Sequence, residues 1–405
     1  MIDQSFEINE VGLKQAVRLL SKAAEAARDL PDTLPKTGVG EAETLELLAP
    51  MVLARARRLG APTAFAHMDP PTPWITWAVS MWNASLNQNL LHPEVGPAAR
   101  QLEEKVIDWL APVFSMAGGH MTPGSTLSNL TALWAARDIA KVKTVITSEA
   151  AHISVAKSAH ILGLACKTVP TDKFGRMNPA CIDGNLNLDE AALVLTAGAT
   201  STGAIDPLYL AGKAAWTHVD AAWAGPMRLS ETLAHRLNGI ETADSIAISA
   251  HKWLFQPKES ALILFRDVDR AHAALSFGGA YLTAPNIGVL GSHGATGIIL
   301  LATLLAWGRQ GVSKRIEKTF ACAETLRDRL SHHNAVQIYP SNDSGVILWR
   351  PADQKSIDAV ISRLPKGLAS KIEIDGVNWL RHVAANPNMD IEAVWSTIEH
   401  TLTQD

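Results

Sequence analysis

A histidine–lysine pair follows an apolar run that is typical of a buried β-strand. Residues 246–248 form this run, and Ser249, His251 and Lys252 come where the strand should end. A lysine at such a position either reaches the surface or is held in a site as a reactive amine. Burial lowers the pKa of an amine and allows it to form a Schiff base. For a lone His-Lys pair the surface lysine is the commoner case, so polar groups elsewhere in the chain must decide.

A turn rich in hydroxyl groups opens a predicted helix at Thr122-Pro-Gly-Ser-Thr-Leu-Ser-Asn129. Free backbone N–H groups and the helix dipole attract anions at such a start, and the hydroxyls of Ser125 and Thr126 suit a phosphate. A serine or threonine after glycine is by itself usually only a helix cap. The turn therefore predicts a phosphate site only in combination with other groups.

A carboxylate and a second histidine also follow apolar runs. Asp220 ends the run 216–219 and precedes two alanines. An acidic group in that position is destabilising unless it is paired, so Asp220 either binds a ligand cation or caps the next helix. His152 lies just past another predicted strand, where a lone histidine is more often an ordinary loop residue.

A phosphate cradle, a strand-end aspartate and a strand-end lysine, in this order, fit pyridoxal 5'-phosphate. The lysine would hold the cofactor as an imine, and the aspartate would keep the pyridine nitrogen protonated so that the ring becomes an electron sink. A flat ring also needs a stacking partner, which His152 could be. The sequence therefore predicts this cofactor and no metal.

Strands and helices alternate from about residue 120 onward. The predicted strands are residues 142–146, 166–169, 192–195, 216–219, 246–248 and 261–265. This alternation predicts an α/β fold with a largely parallel sheet and helices on both faces. Ligands of such sheets bind beyond the carboxyl ends of the strands, which is where the polar groups described above fall.

The segments before and after the central sheet have other predicted elements. Helical patterns cover residues 1–30 and 41–59, a proline-rich loop follows at 67–73, and Pro97 opens another helix. Short strands at residues 337–339, 345–349 and 379–383 indicate a small α+β domain. We therefore expect an N-terminal helical segment (1–65), a large cofactor-binding domain (66–310) and a small C-terminal domain (311–405).

Composition and charge exclude several classes of protein. The 405 residues are 47% hydrophobic and carry a formal net charge of −4, which gives no electrostatic case for nucleic acid or an anionic membrane. Cys166, Cys181 and Cys322 are far apart and suit a reduced setting. The N-terminus lacks signal-peptide regions, and the most apolar segment, residues 297–307, is too short to span a bilayer. We expect a cytoplasmic protein.

Several motifs together resemble the fold-type I pyridoxal-phosphate-dependent decarboxylases that act on aromatic amino acids, glutamate and diaminobutyrate. The most specific are His218-Val-Asp-Ala-Ala-Trp-Ala-Gly225 and Ser249-Ala-His-Lys-Trp253. Further matches are Asn87-Gln-Asn with Leu102-Glu, Gly124-Ser-Thr-Leu-Ser-Asn-Leu130, Ala151-His152 and Gly198-Ala-Thr-Ser-Thr-Gly203. The resemblance runs from about residue 67 to 307 and more thinly to the end. It implies the fold-type I architecture, a mainly parallel seven-stranded sheet flanked by helices, with a small C-terminal domain.

The resemblance implies a role for each matching residue. Lys252, His152 and Asp220 are the implied catalytic residues: the lysine forms the imine, the histidine stacks on one ring face and the aspartate pairs with the pyridine nitrogen. The implied cofactor-binding set is Ser125, Thr126, His152, Thr200, Asp220, Ala222, Ser249, His251, Lys252 and Ser292. Ser292 belongs to a segment that would reach a phosphate across the interface of a homodimer with shared active sites. The implied substrate pocket contains Thr72 and Trp74.

Arg381 is a further candidate for the substrate pocket. Fold-type I aminotransferases bind the substrate α-carboxylate with an arginine of the C-terminal domain, and the decarboxylases also have an arginine near this place. A structural ion pair is an equally good explanation. The aromatic wall near residues 72–77 shows no obvious cationic group for an acidic side chain, so the sequence weighs mildly against glutamate as the substrate.

The chain departs from the family at three places. Gly124–Asn129 keeps the hydroxyls of the family's phosphate motif but lacks its glutamate, and a Ser-Arg-Arg pattern is here Ser292-His-Gly294. The family's mobile loop with a catalytic tyrosine has no clear counterpart here. The segment between residues 265 and 297 is short, and Tyr281 is its only tyrosine. The proton donor to the carbanion is then His152, Lys252 or His293.

The implied reaction is decarboxylation of an L-amino acid to the corresponding amine through an external aldimine and a quinonoid. Transamination, β-elimination and decarboxylative oxidative deamination on the same fold remain alternatives. A third reading is a non-catalytic protein that keeps only the fold, which the intact Lys252 and Asp220 argue against.

Overall fold

The computed structural model describes residues 8–21, 30–182, 186–280, 282–283, 285–341, 343–352 and 357–403. Tyr281 lies outside these ranges. The chain divides into two compact units, residues 1–58 and 59–405. The domain boundaries that we predicted at residues 65 and 310 stay predictions.

The first unit contains two helices, α1 (Glu10–Ser21) and α2 (Glu41–Val52). They are joined by Gln15, whose side-chain amide donates to Glu46 Oε1 at 2.8 Å. The helix predicted for residues 41–59 ends earlier than expected. Pro50 lies in its last turn, and proline lacks the N–H of the helical ladder and clashes with the preceding turn.

The second unit is built on a seven-stranded sheet with the order β1-β7-β6-β5-β4-β2-β3. The strands are β1 (Gly118–Thr122), β2 (Thr144–Ser148), β3 (Ala165–Val169), β4 (Ala191–Thr196), β5 (Trp216–Asp220), β6 (Ser245–Ile248) and β7 (Ala261–Phe265). Strands β2 to β6 run parallel to one another, and β7 is antiparallel to both of its neighbours. The expected mainly parallel α/β sheet is confirmed.

Strand β1 was not predicted from the sequence. Its residues, Gly-Gly-His-Met-Thr, include two that weaken strands in general. A Cβ atom at Gly119 would lie 1.9 Å from the carbonyl oxygen of Ile263 on β7, so the close pairing of the two strands requires glycine there. A local preference scale cannot detect this requirement, because it arises only when β1 meets β7.

Both faces of the sheet are covered. Along β4, Leu193 and Leu195 pack into one hydrophobic cluster, whereas Ala192 and Val194 pack into another. The second cluster is completed by α5 (Ser125–Ile139), α6 (Ile153–Ile161) and α7 (Val268–Leu275). The first contains α4 (Pro97–Leu110) and α8 (Thr296–Ser331), and α3 (Trp74–Leu86) packs on α8. Continuous apolar strands buried on both sides are typical of parallel sheets.

A smaller antiparallel sheet follows, with the order β10-β11-β13-β12. Its strands are β10 (Val336–Ile338), β11 (Val346–Pro351), β12 (Ser370–Ile374) and β13 (Val377–Val383), and it is accompanied by α9 (Ile357–Arg363) and α10 (Ile391–Thr403). Strand β12 was not predicted. Two short strands, β8 (Ser276–Phe277) and β9 (Asn286–Ile287), pair between α7 and α8.

Helix α8 runs through the domain boundary that we predicted at residue 310. Its backbone is interrupted at Gly308, where φ is 61° and ψ is 177°, a conformation that favours glycine. In the described part of the chain, none of the helices combines the length and the apolar character needed to cross a lipid bilayer.

Candidate active site

A cavity of about 400 Å³ opens at the carboxyl ends of β2, β4, β5 and β6. This is the edge of the sheet at which the sequence placed the polar groups. The predicted residues that line the cavity are Ser125, Thr126, His152, Thr200, Asp220, Ala222, Ser249, His251 and Lys252. The fold therefore brings together side chains that are up to 127 residues apart, and the volume suits a small molecule.

Lys252 enters the cavity from the turn after β6. The adjacent Trp253 is fully buried, stacks on Trp223 with ring centroids 4.1 Å apart, and donates from Nε1 to the carbonyl of Ala384 at 2.8 Å. Within the part of the chain that the structure describes, Lys252 Nζ has neither a hydrogen bond nor an ion pair. Burial lowers the pKa of this amine, against the opposing charge of Asp220. A buried amine without a partner is suited to covalent chemistry.

Asp220 ends β5, is 4% exposed and has a partner at each oxygen. Asn129 Nδ2 donates to Asp220 Oδ2 at 2.8 Å, and the backbone N–H of Ala222 donates to Oδ1 at 3.1 Å. The same amide nitrogen of Asn129 also donates to Ser154 Oγ at 2.8 Å. These bonds fix the buried carboxylate at the cavity wall.

His218 continues this chain of hydrogen bonds into the sheet. Its Nε2 lies 2.9 Å from Asn129 Oδ1, and its Nδ1 lies 2.9 Å from Ser245 Oγ, which accepts from Trp216 Nε1. Burial lowers the pKa of His218 to about 4, against the charge of Asp220. The ring is therefore neutral, and because an amide oxygen faces Nε2, that nitrogen carries the proton. We call the set Trp216, Ser245, His218, Asn129, Asp220, Ser154 and His152 the Asn129 network.

His152 forms the other end of the Asn129 network. It caps α6, and its Nδ1 accepts from the backbone N–H of Ser154 at 3.2 Å and lies 2.8 Å from Ser154 Oγ. Since a backbone N–H can only donate, the proton of the neutral ring is on Nε2. Burial lowers the pKa of His152, and the charge of Asp220 opposes this effect. The cavity thus contains a neutral imidazole with a defined N–H donor.

The start of α5 and the end of β6 meet at the place predicted for a phosphate. Ser125 Oγ lies 2.6 Å from Ser249 Oγ, and Gly124, which precedes the helix, provides no side-chain cap. His251 Nδ1 lies 3.0 Å from the carbonyl oxygen of Ser260 and therefore carries a proton. Burial and the charges of nearby lysines lower the pKa of His251 to about 4. Uncapped N–H groups and two hydroxyls make an anion-binding surface.

Thr196 is a cavity residue that the sequence analysis missed. Its Oγ1 is buried and has no hydrogen-bond partner among the described residues, although it lines the cavity. A buried polar atom left unpaired is destabilising unless a ligand satisfies it. Nearby, a Cβ atom at Gly198 would lie 2.8 Å from Trp223 Cδ1, so this wall requires glycine. With the free amine of Lys252, these features fit pyridoxal 5'-phosphate.

Asn129, Ser154, Lys258 and Glu259 were also missed. Asn129 and Ser154 are buried polar residues within helical sequences, and the only signal was their proximity to quoted motifs. Lys258 and Glu259 line the cavity and follow Lys252 by six and seven residues. Lys258 is thus a cationic group of the cavity that lies outside residues 72–77, the wall to which the sequence expectation referred.

Ser292, Thr72 and Trp74 do not line this cavity in the same chain. Ser292 Oγ accepts from Asn89 Nδ2 at 3.2 Å. Thr72 Oγ1 accepts from Trp77 Nε1 at 2.9 Å, and Trp74 is 70% exposed. Their predicted roles in binding the cofactor and the substrate stay predictions.

Arg381, on β13, is 8% exposed and also stands apart from the cavity lining. Its Nη1 lies 3.4 Å from the carbonyl oxygen of Ala66 and from Ser370 Oγ, and its buried Nε has no partner among the described residues. Burial lowers the pKa of Arg381 to about 10, and the charge of Asp69 opposes this. No ion pair of Arg381 is found in the described ranges, so the structural ion pair considered above is absent there.

His293, one of the three candidate proton donors, lines a different and smaller cavity of about 110 Å³ with His120 and Glu103. Its Nδ1 lies 2.7 Å from the carbonyl oxygen of Gly291. Within one chain, therefore, His152 and Lys252 share the main cavity and His293 does not.

A model of the pyridoxal-dependent decarboxylase conserved domain matches residues 26–350. The chain belongs to this family. It is a pyridoxal-phosphate-dependent amino acid decarboxylase, as the resemblance implied. An L-2,4-diaminobutyrate decarboxylase from Rhizobium meliloti (strain 1021) is 34% identical over 336 residues, which cover 74% of this chain and 67% of that protein. An aspartate 1-decarboxylase from Aliivibrio fischeri is 26% identical over 398 residues, covering 83% and 73%.

Solved structures share the fold of this decarboxylase. Oryza sativa TDC with PLP and tryptamine has a TM-score of 0.86 at 20% identity, with 98% of this chain and 99% of that chain covered. Mouse CSAD in its apo form has a TM-score of 0.84 at 22% identity, with the same shares covered. At these identities the likeness concerns the architecture.

Proposed function

We propose that this decarboxylase converts an L-amino acid into the corresponding amine with Lys252, Asp220 and His152 as its catalytic residues. The observation that carries the assignment is the buried amine of Lys252, which has no partner among the described residues and lies in the same cavity as the doubly hydrogen-bonded Asp220. When bound, pyridoxal 5'-phosphate supplies a conjugated ring that takes up the electron pair released as carbon dioxide leaves.

Lys252 would hold the cofactor through its side-chain amine. An amine bonds to an aldehyde carbon in its neutral form, which burial favours by lowering the pKa of Lys252. Asp220 would stabilise a proton on the pyridine nitrogen, because its carboxylate is buried and kept in place by Asn129. Ser125, Thr126, Ser249 and His251 would bind the phosphate, and Ala222 and His152 would cover the two ring faces, with Thr200 nearby.

His152 donates the proton that replaces the carboxyl group. Its neutral ring carries a proton on Nε2, and the cavity lining contains no tyrosine among the described residues. His293 lines another cavity, so His152 is favoured as the donor. Lys252, once released, is the second group in reach.

The proposal also covers the substrate pocket, the homodimer and the cellular location. Thr72, Trp74 and Arg381 contribute to the substrate pocket, and Ser292 reaches a phosphate of the second subunit in a homodimer. The three cysteines are unpaired, which supports a reduced, cytoplasmic location.

The test compares the purified, cofactor-loaded protein with Lys252→Ala. We expect carbon dioxide release from a pooled amino-acid mixture, a fall of about a thousandfold or more in kcat for the variant, and loss of the visible absorption band of the lysine-bound cofactor. Lys213→Ala, at an exposed lysine over Tyr209, is the matched control and should behave as wild type. Retention of the visible band in Lys252→Ala would overturn the assignment.

Decarboxylative oxidative deamination is a second candidate, because no described tyrosine lines the cavity. In that reaction the amino acid, dioxygen and water give an aldehyde, carbon dioxide, ammonia and hydrogen peroxide. Product analysis under air separates the two: amine without peroxide supports decarboxylation, whereas aldehyde with an equal amount of peroxide supports the second reaction.

A further inference from the structure

We propose that Asp69 selects the substrate: its carboxylate binds the terminal ammonium group of a short diamino acid, which displaces Lys258. The inference rests on the proposed function, because it takes the substrate to bind beside Lys252. It assigns a role to the ion pair between Asp69 and Lys258, of which Lys258 lines the cofactor cavity.

Asp69 is held on a rigid segment. It lies in the irregular stretch 67–73, which contains three prolines, and proline fixes the backbone angle φ. Before this stretch, Phe65 bonds through its N–H to Gly367 and through its carbonyl to Val383, at 2.9 and 2.7 Å. After it, Thr76 N donates to the carbonyl of Pro73 at 2.9 Å as α3 begins. The backbone that carries Asp69 is therefore held in place.

Lys258 connects Asp69 to the cavity. It lines the same cavity as Lys252, and its Nζ forms an ion pair with Asp69 Oδ1. The lysine side chain is 63% exposed, whereas that of Asp69 is 39% exposed. Lys258 has a flexible stem and solvent beside it, so it can leave the carboxylate at small free-energy expense, as exposed ion pairs are weak.

The charge of Asp69 acts on the groups around the cofactor. It raises the pKa values of Lys252, His251 and Arg381 against the effect of their burial. Burial raises the pKa of Asp69 itself, but the hydrogen bond and charge of Lys258 outweigh this and leave it below its ordinary value. Asp69 is thus an ionised group near neutral pH.

The difference in exposure between Asp69 and Lys258 favours a positively charged ligand group. A substrate ammonium group can replace Lys258 on Asp69, and the more exposed Lys258 then turns to solvent. A substrate carboxylate would instead draw Lys258 away and leave the half-buried carboxylate of Asp69 without its partner. Glu259, held at the cavity edge with φ of 67°, adds a second negative charge and disfavours an acidic side chain further.

The experiment measures kcat/KM of the cofactor-loaded enzyme for three amino acids of similar side-chain size. L-2,4-diaminobutyrate ends in an ammonium group, L-norvaline in a methyl group and L-glutamate in a carboxylate. We expect the diamino acid to exceed norvaline by about ten- to a hundredfold, the range for a hydrogen bond to a charged group, and glutamate to be the poorest. In Asp69→Asn the ratio of kcat/KM for diaminobutyrate to that for norvaline should fall to about one, because only the diamino acid loses a charged partner.

Two further variants control for structural effects. Lys258→Met removes the competing ammonium group and should keep or increase the preference for the diamino acid. Asp358→Asn breaks a lysine–carboxylate pair of the same kind, with Lys371 at 2.8 Å, and should leave all three kcat/KM values as in wild type. Equal losses for every substrate in Asp69→Asn, or a preference for glutamate that disappears in Lys258→Met, would overturn the proposal.

Binding is measured separately from catalysis by titrating the holoenzyme with each amino acid and following the change in its visible absorption. An Asp69-dependent preference for diaminobutyrate without carbon dioxide release supports the assignment of Asp69 while refuting the decarboxylase mechanism. Release of carbon dioxide without any dependence on ligand charge refutes the role of Asp69 and leaves the mechanism intact. Failure of all three amino acids to change the spectrum also counts against Asp69.

Discussion

The proton of His152 is positioned by two donors that belong to one residue, Ser154. The backbone N–H and the hydroxyl of Ser154 both lie within hydrogen-bond distance of Nδ1. Donors to a ring nitrogen stabilise the neutral imidazole and so lower its pKa. The Asn129 network therefore controls which nitrogen of His152 donates and over which pH range.

We predict that Ser154→Ala lowers kcat by about tenfold, less than the roughly hundred- to ten-thousandfold contribution of a general acid or base as a whole, because one orienting bond is lost and the other remains. With one donor gone the pKa of His152 rises, so the limb of the kcat–pH profile that reports this group moves to higher pH. The profile is measured with saturating cofactor. Ser158→Ala, a buried serine one turn further along α6, is the control; a shift there as well would indicate a general effect of the helix.

Some residues of the site could be predicted from the sequence and others could not. Lys252, Asp220 and His152 follow strands and stand out because polar groups are unusual there. Asn129 and Thr196 do not stand out, although Asn129 contacts Asp220 from 91 residues away. Their significance depends on which distant side chains they meet.

At the scale of elements, helices α4 and α8 are joined by a buried carboxyl group. Glu103 on α4 is 9% exposed, and its Oε2 accepts from the backbone N–H of Gly297 at 2.9 Å. A Cβ atom at Gly297 would lie 2.6 Å from Glu103 Cγ, so the helices meet closely there. Burial raises the pKa of Glu103 to about 7 from 4.5.

The stability of the fold should therefore fall as the pH rises between about 4.5 and 7, because over this window the folded state binds more protons at Glu103 than the unfolded state does. Glu103→Gln keeps an acceptor for Gly297 and removes the ionisation. The quantity to compare is the free energy of unfolding of the variant minus that of wild type. We predict that this difference is more favourable to the variant at pH 8 than at pH 5, by about 2 kcal/mol. Urea unfolding at both pH values measures this difference.

Wild type and Glu103→Gln must be compared because Asp206 also makes stability depend on pH. Burial raises the pKa of Asp206 to about 6, so in both proteins it makes the free energy of unfolding fall as the pH rises. Asp108→Asn, at an exposed position of α4, should reproduce the wild-type pH dependence. An identical pH dependence in wild type and Glu103→Gln would contradict the prediction.

At the scale of the whole molecule, the position of Ser292 bears on assembly. Ser292 does not line the cavity of its own chain, and the family resemblance assigns it to the phosphate of a second subunit. We predict that light scattering gives twice the mass of one chain. We also predict that Ser292→Ala weakens cofactor binding by about tenfold, the value expected for one hydrogen bond to a charged group.

A mixed dimer separates the two placements of Ser292. Co-expression of Lys252→Ala with Ser292→Ala produces one site with both changes and one site with neither if the serine acts across the interface. Such dimers should then bind cofactor at one site with wild-type affinity and show about half the activity. If the serine acts within its own chain, no wild-type site forms, and the one site that keeps Lys252 binds cofactor about tenfold more weakly.

The sequence by itself determined the strand–helix alternation, the sheet that follows from it, and the lysine, aspartate and hydroxyl groups at the strand ends. These features are local, because an apolar run followed by a polar residue is visible within a few positions. Only the tertiary structure decided the pairing of Asp69 with Lys258 across 189 residues, the Asn129 network and the close approach of β1 to β7. It also decided the burial of the Thr196 hydroxyl, which has no partner within the described ranges. They depend on which distant segments pack together, and the free energy of such contacts arises from burial and geometry that no local pattern of residues contains.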